Sequence, residues 1–400
     1  MHSRLMLAAL VVSASFAPAA LAAQTYTSRL AVPPTYAAGE FLGGGATTGT
    51  GSGSIPVEIP GIPNAFTVNA FIYNVNTNTY TNLHPDSSWS GTWALNASAT
   101  QQVGYGFQSG PNVALLWNGT AQSAITLDTP ETDQTVATDT NGTRQVGYAF
   151  TRKSNGNPNA IVWAGTAASG TIIHPTNLGL ESSVATTINE AGQIAGVGED
   201  ENYLFTALYW ASPESPAVRL RPEGFDETTS AGAYQGKVFG DGSGLPTNGR
   251  RHALILDPEN PNSFTSLHPS DPSILGTYID TLQEVTPDGA PGSLPLIIGN
   301  ALVEIDPGSG EGRQHAAVWT DHTASGFVDL HAFAPEGWDF SRASGVDAFG
   351  NIYGSVFNVD PNTGATDILP VIWSPVVIPE PTLTLLAPLA LLATRRSRHA

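Results

Sequence analysis

Residues 315–354 read HAAVWTDHTASGFVDLHAFAPEGWDFSRASGVDAFGNIYG, and this stretch decides the fold. It holds an apolar segment that ends at Trp319, a polar turn, and a second apolar segment that ends at His331. Two further short segments follow, separated by a turn that runs from Asp347 to Gly350. Asp and Gly tolerate the backbone of tight hairpin turns. The stretch therefore predicts four short antiparallel strands.

Similar stretches recur along the chain, each with a large apolar residue at the position of Trp319. These anchors are Tyr73, Trp117, Trp163, Trp210, Leu256, Trp319 and Trp373. Units of about 40–50 residues with four short strands are typical of β-propeller blades. Six units are complete, and the last anchor lacks following strands, so we expect N-terminal strands to complete its blade and close the ring. The prediction is an all-β propeller of seven four-stranded blades over residues 24–376, with six or eight blades as alternatives.

Composition agrees with a large β-domain and excludes some partners. Of the 400 residues, 41% are hydrophobic and 12% charged, and 42 glycines and 30 prolines leave little room for long helices. The net charge of −19 argues against nucleic acid, which requires clustered basic residues. The absence of cysteine excludes disulfides and thiolate chemistry. The segment 43–56, GGGATTGTGSGSIP, is rich in Gly, Ser and Thr, and its composition predicts a flexible loop.

The N-terminus predicts export. Arg4 precedes an apolar run, and small residues follow at Ala20, Ala22 and Ala23, which is the pattern of a signal peptide over residues 1–23 with cleavage after Ala22 or Ala23. The alternative is a membrane anchor, but the apolar run is short for one.

The C-terminus, residues 377–400, has three parts in order. They are the triplet Pro379, Glu380 and Pro381, an apolar segment from 382 to 394, and the basic residues Arg395, Arg396 and Arg398. The apolar segment is too short to cross a bilayer unaided and contains Pro388, so we expect only transient membrane contact. The arrangement resembles the PEP-CTERM sorting signal of bacterial surface proteins. The resemblance implies recognition by an exosortase as partner and a destination at the cell surface or in the extracellular matrix; whether the tail is cleaved or retained stays open.

The repeats also resemble a known type. His315 to Trp319, Asp329 to His331, Ala343 to Val346 and Gly350 to Gly354 are similar to the HAF-type "HAALW…VDLHP" repeats of bacterial surface proteins. The resemblance covers roughly residues 65–375 and is poorest in the fifth unit, where Leu256 replaces Trp. It supports a repeat propeller and implies no activity.

Aromatic residues offer the first candidate site. The anchor tryptophans repeat with the blades, which favours packing between blades over ligand binding. Trp89, Trp93 and Trp338 lie outside this register, in segments interpreted as loops. They are the candidates for stacking against a sugar, although a structural role is the alternative for each.

Histidines and acidic residues offer metal candidates. His84, His174, His268 and His331 share one register, but Asp128 and Arg221 take that place in the other two units, so we interpret these histidines as caps of turns at strand ends. Oxygen-rich turns contain Asp139, Asn141 and Asp241, the residues that would bind calcium if any site does. Hairpin turns use the same residues, so no metal or other cofactor is firmly predicted.

No catalytic motif is present, and no catalytic residue is assigned. The leading interpretation is a non-enzymatic, exported surface or matrix protein whose propeller binds extracellular polysaccharide or another surface protein. The alternative is a propeller hydrolase or lyase that acts on polysaccharide. Carboxyl groups with strongly shifted pKa values at one mouth of the channel would favour the enzyme, and a mouth lined by Ser, Thr and Asn would argue against it.

Overall fold

The computed structural model describes residues 25–31, 38–45, 47–57, 65–152, 156–283, 295–360, 362–364 and 366–376. The predicted signal peptide and sorting tail lie outside these residues and stay predictions. Within the described ranges, no helix is long and apolar enough to cross a bilayer.

The described residues form strands arranged as seven four-stranded antiparallel blades. Blade 1 consists of β2 (Ala38–Gly45), β3 (Thr48–Pro56), β4 (Phe66–Asn74) and β5 (Thr79–Asn82). Blade 2 consists of β6 (Gly91–Ala97), β7 (Gln102–Phe107), β8 (Val113–Trp117) and β9 (Ile125–Thr126). Blade 3 consists of β10 (Thr132–Thr140), β11 (Gln145–Thr151), β12 (Pro158–Trp163) and β13 (Thr171–Ile172). Blade 4 consists of β14 (Leu180–Ile188), β15 (Ile194–Asp200), β16 (Phe205–Trp210) and β17 (Val218–Leu220).

The remaining blades follow the same plan. Blade 5 consists of β18 (Phe225–Tyr234), β19 (Lys237–Gly244), β20 (His252–Leu256) and β21 (Phe264–Ser266). Blade 6 consists of β22 (Ile274–Gln283), β23 (Leu296–Glu304), β24 (Gly312–Trp319) and β25 (Phe327–Asp329). Blade 7 consists of β26 (Phe340–Val346), β27 (Ile352–Val359), β28 (Thr366–Pro375) and the N-terminal β1 (Tyr26–Leu30). Short 3₁₀ helices lie at Ala121–Ser123, Ala167–Ser169, Leu245–Thr247, Ala324–Gly326 and Leu330–Phe333.

The two ends of the described chain close the ring in blade 7. Strand β1 pairs antiparallel with β28 from Tyr26 opposite Pro375 to Leu30 opposite Val371. Strand β1 covers the outer edge of β28, which would otherwise be free to pair with another chain. The predicted all-β propeller, its seven four-stranded blades and their closure by terminal strands are confirmed.

The anchor residues lie between blades, as their period predicts. Trp319 is fully buried, and its indole nitrogen donates to the Leu267 carbonyl of the preceding blade at 2.8 Å. Trp210 reaches the Ile173 carbonyl of its preceding blade at 3.2 Å. Burying so large a side chain at each junction provides much of the apolar stabilisation of the ring.

The interpretation of residues 43–56 as a flexible loop is wrong. The segment forms the end of β2 and all of β3, the innermost hairpin of blade 1. Its glycines are required by crowding: a Cβ on Gly43 would lie 2.0 Å from the Leu95 carbonyl oxygen, and one on Gly45 1.9 Å from that of Ala97. A composition typical of linkers here reflects the close approach of backbones.

Hydroxyl groups connect successive blades at six junctions. Each hydroxyl lies on the first strand of a blade and accepts a hydrogen bond of 2.8–3.0 Å from an alanine N–H on the third strand of the preceding blade. The hydroxyls belong to Thr92, Thr135, Ser183, Thr228, Thr277 and Ser341. We call them the junction hydroxyls. They satisfy backbone donors that are sealed from water.

Candidate functional site

A β-bulge lies at the same place in the first strand of every blade, next to the central channel. It leaves one residue of each strand outside the ladder; these bulge residues are Leu42, Leu95, Thr138, Thr186, Ala231, Asp280 and Ser344. A bulge re-aims side chains and is common beside binding sites. We call "upper" the face that carries the loops between second and third strands and between blades, and "lower" the face with the other hairpin turns.

Three bulge residues donate hydrogen bonds to the next blade, whereas Asp280 accepts one from Asn300 within its own blade. The hydroxyl of Thr138 bonds the Ala185 carbonyl at 2.7 Å, and that of Ser344 bonds the Phe41 carbonyl at 2.7 Å. Thr186 makes the corresponding bond at 3.3 Å. In blade 6 the connection is made instead by Asn300, which accepts from the Ala343 N–H at 3.2 Å and also donates to Asp280.

Charged side chains collect on one side of the upper channel. Asp280 is exposed to the channel, and Arg342 of blade 7 bonds Glu40 of blade 1 at 2.9 Å. About a third of each of these two side chains is exposed. We call Glu40, Trp93, Tyr278, Asp280 and Arg342 the upper site.

Two carboxyl groups here have raised pKa values. Protein surrounds Asp280 on most sides although it faces the channel, and the resulting desolvation raises its pKa, with the Asp241 carboxylate adding to the rise and Arg342 opposing it. Asp241 is almost fully buried, and burial raises its pKa to about 6 against the effect of Arg251, whose Nε lies 3.1 Å from its carboxylate. Asp280 can therefore contact a ligand. Asp241 is too deeply buried to do so and acts only on Asp280, through its charge.

Aromatic rings lie on the other side of the upper channel. The Trp93 indole stacks on Tyr105 with ring centroids 5.0 Å apart and an angle of 8°, and on Phe107 at 5.8 Å. Trp93 is partly exposed. The upper site thus places an aromatic surface across the channel from the ionisable side chains of Asp280 and the Arg342–Glu40 pair.

The lower mouth differs in character. It holds a cavity of about 430 Å³ to which every blade contributes, with Ser98, Thr140, Asn141, Thr187 and Asn189 among its lining residues. We call it the lower cavity. The upper site therefore meets the criterion for an enzyme drawn from the sequence. The lower cavity combines a lining rich in Ser, Thr and Asn with Asp139, whose pKa burial raises to about 7.

The three predicted stacking tryptophans are not brought together. Trp93 lies on the innermost strand β6, not in a loop as predicted, and it alone belongs to the channel. Trp89 is only 9% exposed and packs with Leu115 and Trp117, so it offers no surface to a ligand. Trp338 lies in a loop and is partly buried against the core of blades 6 and 7.

The calcium candidates do not converge. Asp139 and Asn141 lie at the lower cavity, and Asn141 Oδ1 already accepts from the N–H groups of Thr143 and Arg144. Asp241 lies in β19 beside Arg251, a cation that would repel calcium. Among the described residues no group of three or more His, Asp and Glu side chains could hold a metal ion.

The register histidines serve the junctions between blades. His84, His174, His268 and His331 each place Nδ1 2.8–3.0 Å from a junction hydroxyl of the next blade. The interpretation as caps of turns is supported for His84, His174 and His268, whose rings also hydrogen-bond backbone groups of the segments that follow them, at Asp86, Leu180 and Ile274. The bond to a side chain across the junction was not predicted. These residues form no common site.

Sequence reasoning missed Glu40, Tyr278, Asp280 and Arg342. The signal was present for Asp280: aligning the bulge positions of the repeats shows Thr or Ser in three blades and a carboxylate in one. The other three each lie two residues before the bulge residue of their strand and match no motif, since their neighbours come from different blades.

The fold and channel define a seven-bladed β-propeller with a charged and aromatic upper site. No family model and no curated protein matches the chain. Similar solved structures include a puromycin hydrolase (TM-score 0.52, 12% identity, covering 86% of this chain and 56% of that one). A puromycin-hydrolyzing peptidase of Mycobacterium tuberculosis is similar (0.51, 11%, 84% and 53%), as is a structure from a study of two prolyl endopeptidases (0.50, 10%, 87% and 50%). The chain spans about half the length of these structures, and the likeness shows the fold.

Proposed function

We propose that this chain is an exported propeller enzyme that hydrolyses glycosidic bonds of an extracellular polysaccharide at the upper site. The observation that carries the proposal is Asp280, a channel-exposed carboxyl group with a raised pKa beside the Arg342–Glu40 ion pair. A glycosidase needs one carboxyl group that stays protonated and a second that is ionised. The similar solved structures named as hydrolases agree with an enzymatic role, although they are named for other substrates.

The chemistry assigns one role to each side chain. Protonated Asp280 donates its proton to the oxygen of the leaving sugar, and Glu40, oriented by Arg342, accepts a proton from the attacking water. Trp93 provides a ring surface on which a sugar stacks. Asp241 favours the protonated form of Asp280 through its charge.

The test uses the purified protein with the extracellular polysaccharide of its producing organism. We expect reducing ends to accumulate, and Asp280→Asn to abolish this without loss of the fold, because Asn can still accept from Asn300. Asp367→Asn, an exposed site on β28, is the matched control and should be as active as the parent. Ultraviolet absorbance of an unsaturated product would show a lyase instead. Equal activity of both variants would overturn the assignment.

A second candidate is a non-enzymatic matrix protein that binds polysaccharide or another surface protein. It is supported by the signal-peptide pattern, by the resemblance of the tail to an exosortase sorting signal, and by the lack of a catalytic motif in the sequence. Saturable heat of binding in calorimetry without new reducing ends would favour this candidate. Loss of that heat in Trp93→Ala would then place binding at the upper site.

A further inference from the structure

The lower cavity has the size and lining of a small-molecule site. Its volume of about 430 Å³ lies in the range of ligand pockets. The partly exposed Leu282 and Ala348 and the exposed Ala99 line it, together with the Asp139 carboxylate and the exposed Glu190. It opens at the end of the channel opposite the upper site.

Asp139 is a buried carboxyl group held by three blades. Its Oδ1 accepts from Asn96 of blade 2 at 2.9 Å and from the Thr140 N–H at 2.7 Å, and its Oδ2 accepts from the Ile188 N–H of blade 4 at 2.8 Å. Only 7% of the residue is exposed. Among the residues that the structure describes, no lysine or arginine is ion-paired with it, and desolvation raises its pKa to about 7.

The hydrogen-bond pattern defines what this carboxylate can still accept. A carboxylate oxygen has two lone pairs, so Oδ1 is saturated and Oδ2 keeps one free. One free lone pair suits one N–H donor and does not suit a metal ion, which needs several oxygen ligands. A cationic donor is favoured over a neutral one, because the buried charge has no partner.

We propose that the lower cavity binds a small aliphatic amine whose ammonium group contacts Asp139 and whose hydrocarbon chain packs on the apolar lining. A diamine places its second ammonium group toward Glu190 at the exposed rim. Tyr234, whose ring also lines the cavity, is a further titratable group there. This inference goes beyond the proposed function and does not depend on it.

The test is calorimetry of the full chain with putrescine, with the diol of the same chain length as the neutral control. We expect one putrescine to bind per chain and no heat from the diol. Asp139→Asn should weaken binding by at least about tenfold, as expected for loss of one charged contact. Ala99→Trp, at an exposed position of the cavity lining, should block it without touching the core.

Each outcome decides the proposal. Absence of putrescine binding, equal binding of the diol, or binding that survives Ala99→Trp would overturn it. If Asp139→Asn fails to fold, Glu190→Gln replaces it, and weaker putrescine binding in that variant is the supporting result. A protein that binds putrescine but releases no sugar ends supports this site and refutes the proposed activity, so the two failures are distinguishable.

Discussion

Removing one junction hydroxyl should destabilise the ring by a predictable amount. Thr277 is fully buried, and its Oγ1 accepts from the Ala253 N–H at 3.0 Å and lies 3.0 Å from Nδ1 of His268. Thr277→Val keeps the volume but removes the acceptor. An unsatisfied buried N–H costs about 1–3 kcal/mol, and loss of the histidine bond adds about 1 kcal/mol. We therefore expect Thr277→Val to lower the free energy of unfolding by about 2–4 kcal/mol.

Two control variants separate the hydroxyl from other effects. Thr277→Ser keeps the oxygen and loses one methyl group, which should cost about 1 kcal/mol. Thr81→Val, on the exposed strand β5, should change stability by less than about 0.5 kcal/mol. The assay is equilibrium denaturation together with hydrogen exchange of the Ala253 amide, which reports the junction locally. Val and Ser variants of equal stability, with equal protection of that amide, would refute the reasoning.

Three further predictions concern other parts of the ring. The pKa of Asp139 is raised from 3.8 to about 7, so between these pH values the folded chain holds a proton that the unfolded chain releases. The stability contributed by this group therefore falls as the pH rises from about 4 to 7, and the melting temperature of the parent relative to Asp139→Asn should fall over the same range. Gly43→Ala places a Cβ against the Leu95 carbonyl and should cost at least about 3 kcal/mol in denaturation, whereas Gly110→Ala, in open space, should be nearly neutral. Deleting Tyr26–Leu30 exposes the edge of β28 and should yield an aggregating protein in light scattering, while a full-length-like monomer would contradict the closure argument.

The sequence predicted the ring because its blades repeat. Large apolar residues that recur once per blade, such as Trp319, were expected to pack at equivalent junctions. The lack of strands after Trp373 predicted that the two ends of the chain share a blade. Residues 43–56 were misjudged because glycine content alone does not distinguish a flexible linker from crowded strands; the difference lies in the carbonyl of Leu95, which comes from a neighbouring blade.

The upper site was harder to predict because its parts come from different blades. Glu40 and Arg342 are 302 residues apart in the chain and meet only because the ring closes. The charge of Asp241 raises the pKa of Asp280, and the spacing of the two residues in the sequence does not reveal this effect. Trp93 was identified as an aromatic outside the register, but its place on an inner strand was not.

Asp280 shows how a repeat protein can carry a site. In three blades the bulge residue donates a hydroxyl hydrogen to the next blade, a bond that any blade can use to hold its neighbour. An aspartate at that position gives up this bond and places an ionisable group where desolvation disfavours its charged form, and both changes cost stability. Asn300 restores the connection to blade 7 from the adjacent strand and also donates to Asp280. Asp280 thus lowers stability, and Asn300 makes the contact that the bulge residue makes in other blades. This combination is expected where a side chain serves chemistry rather than folding.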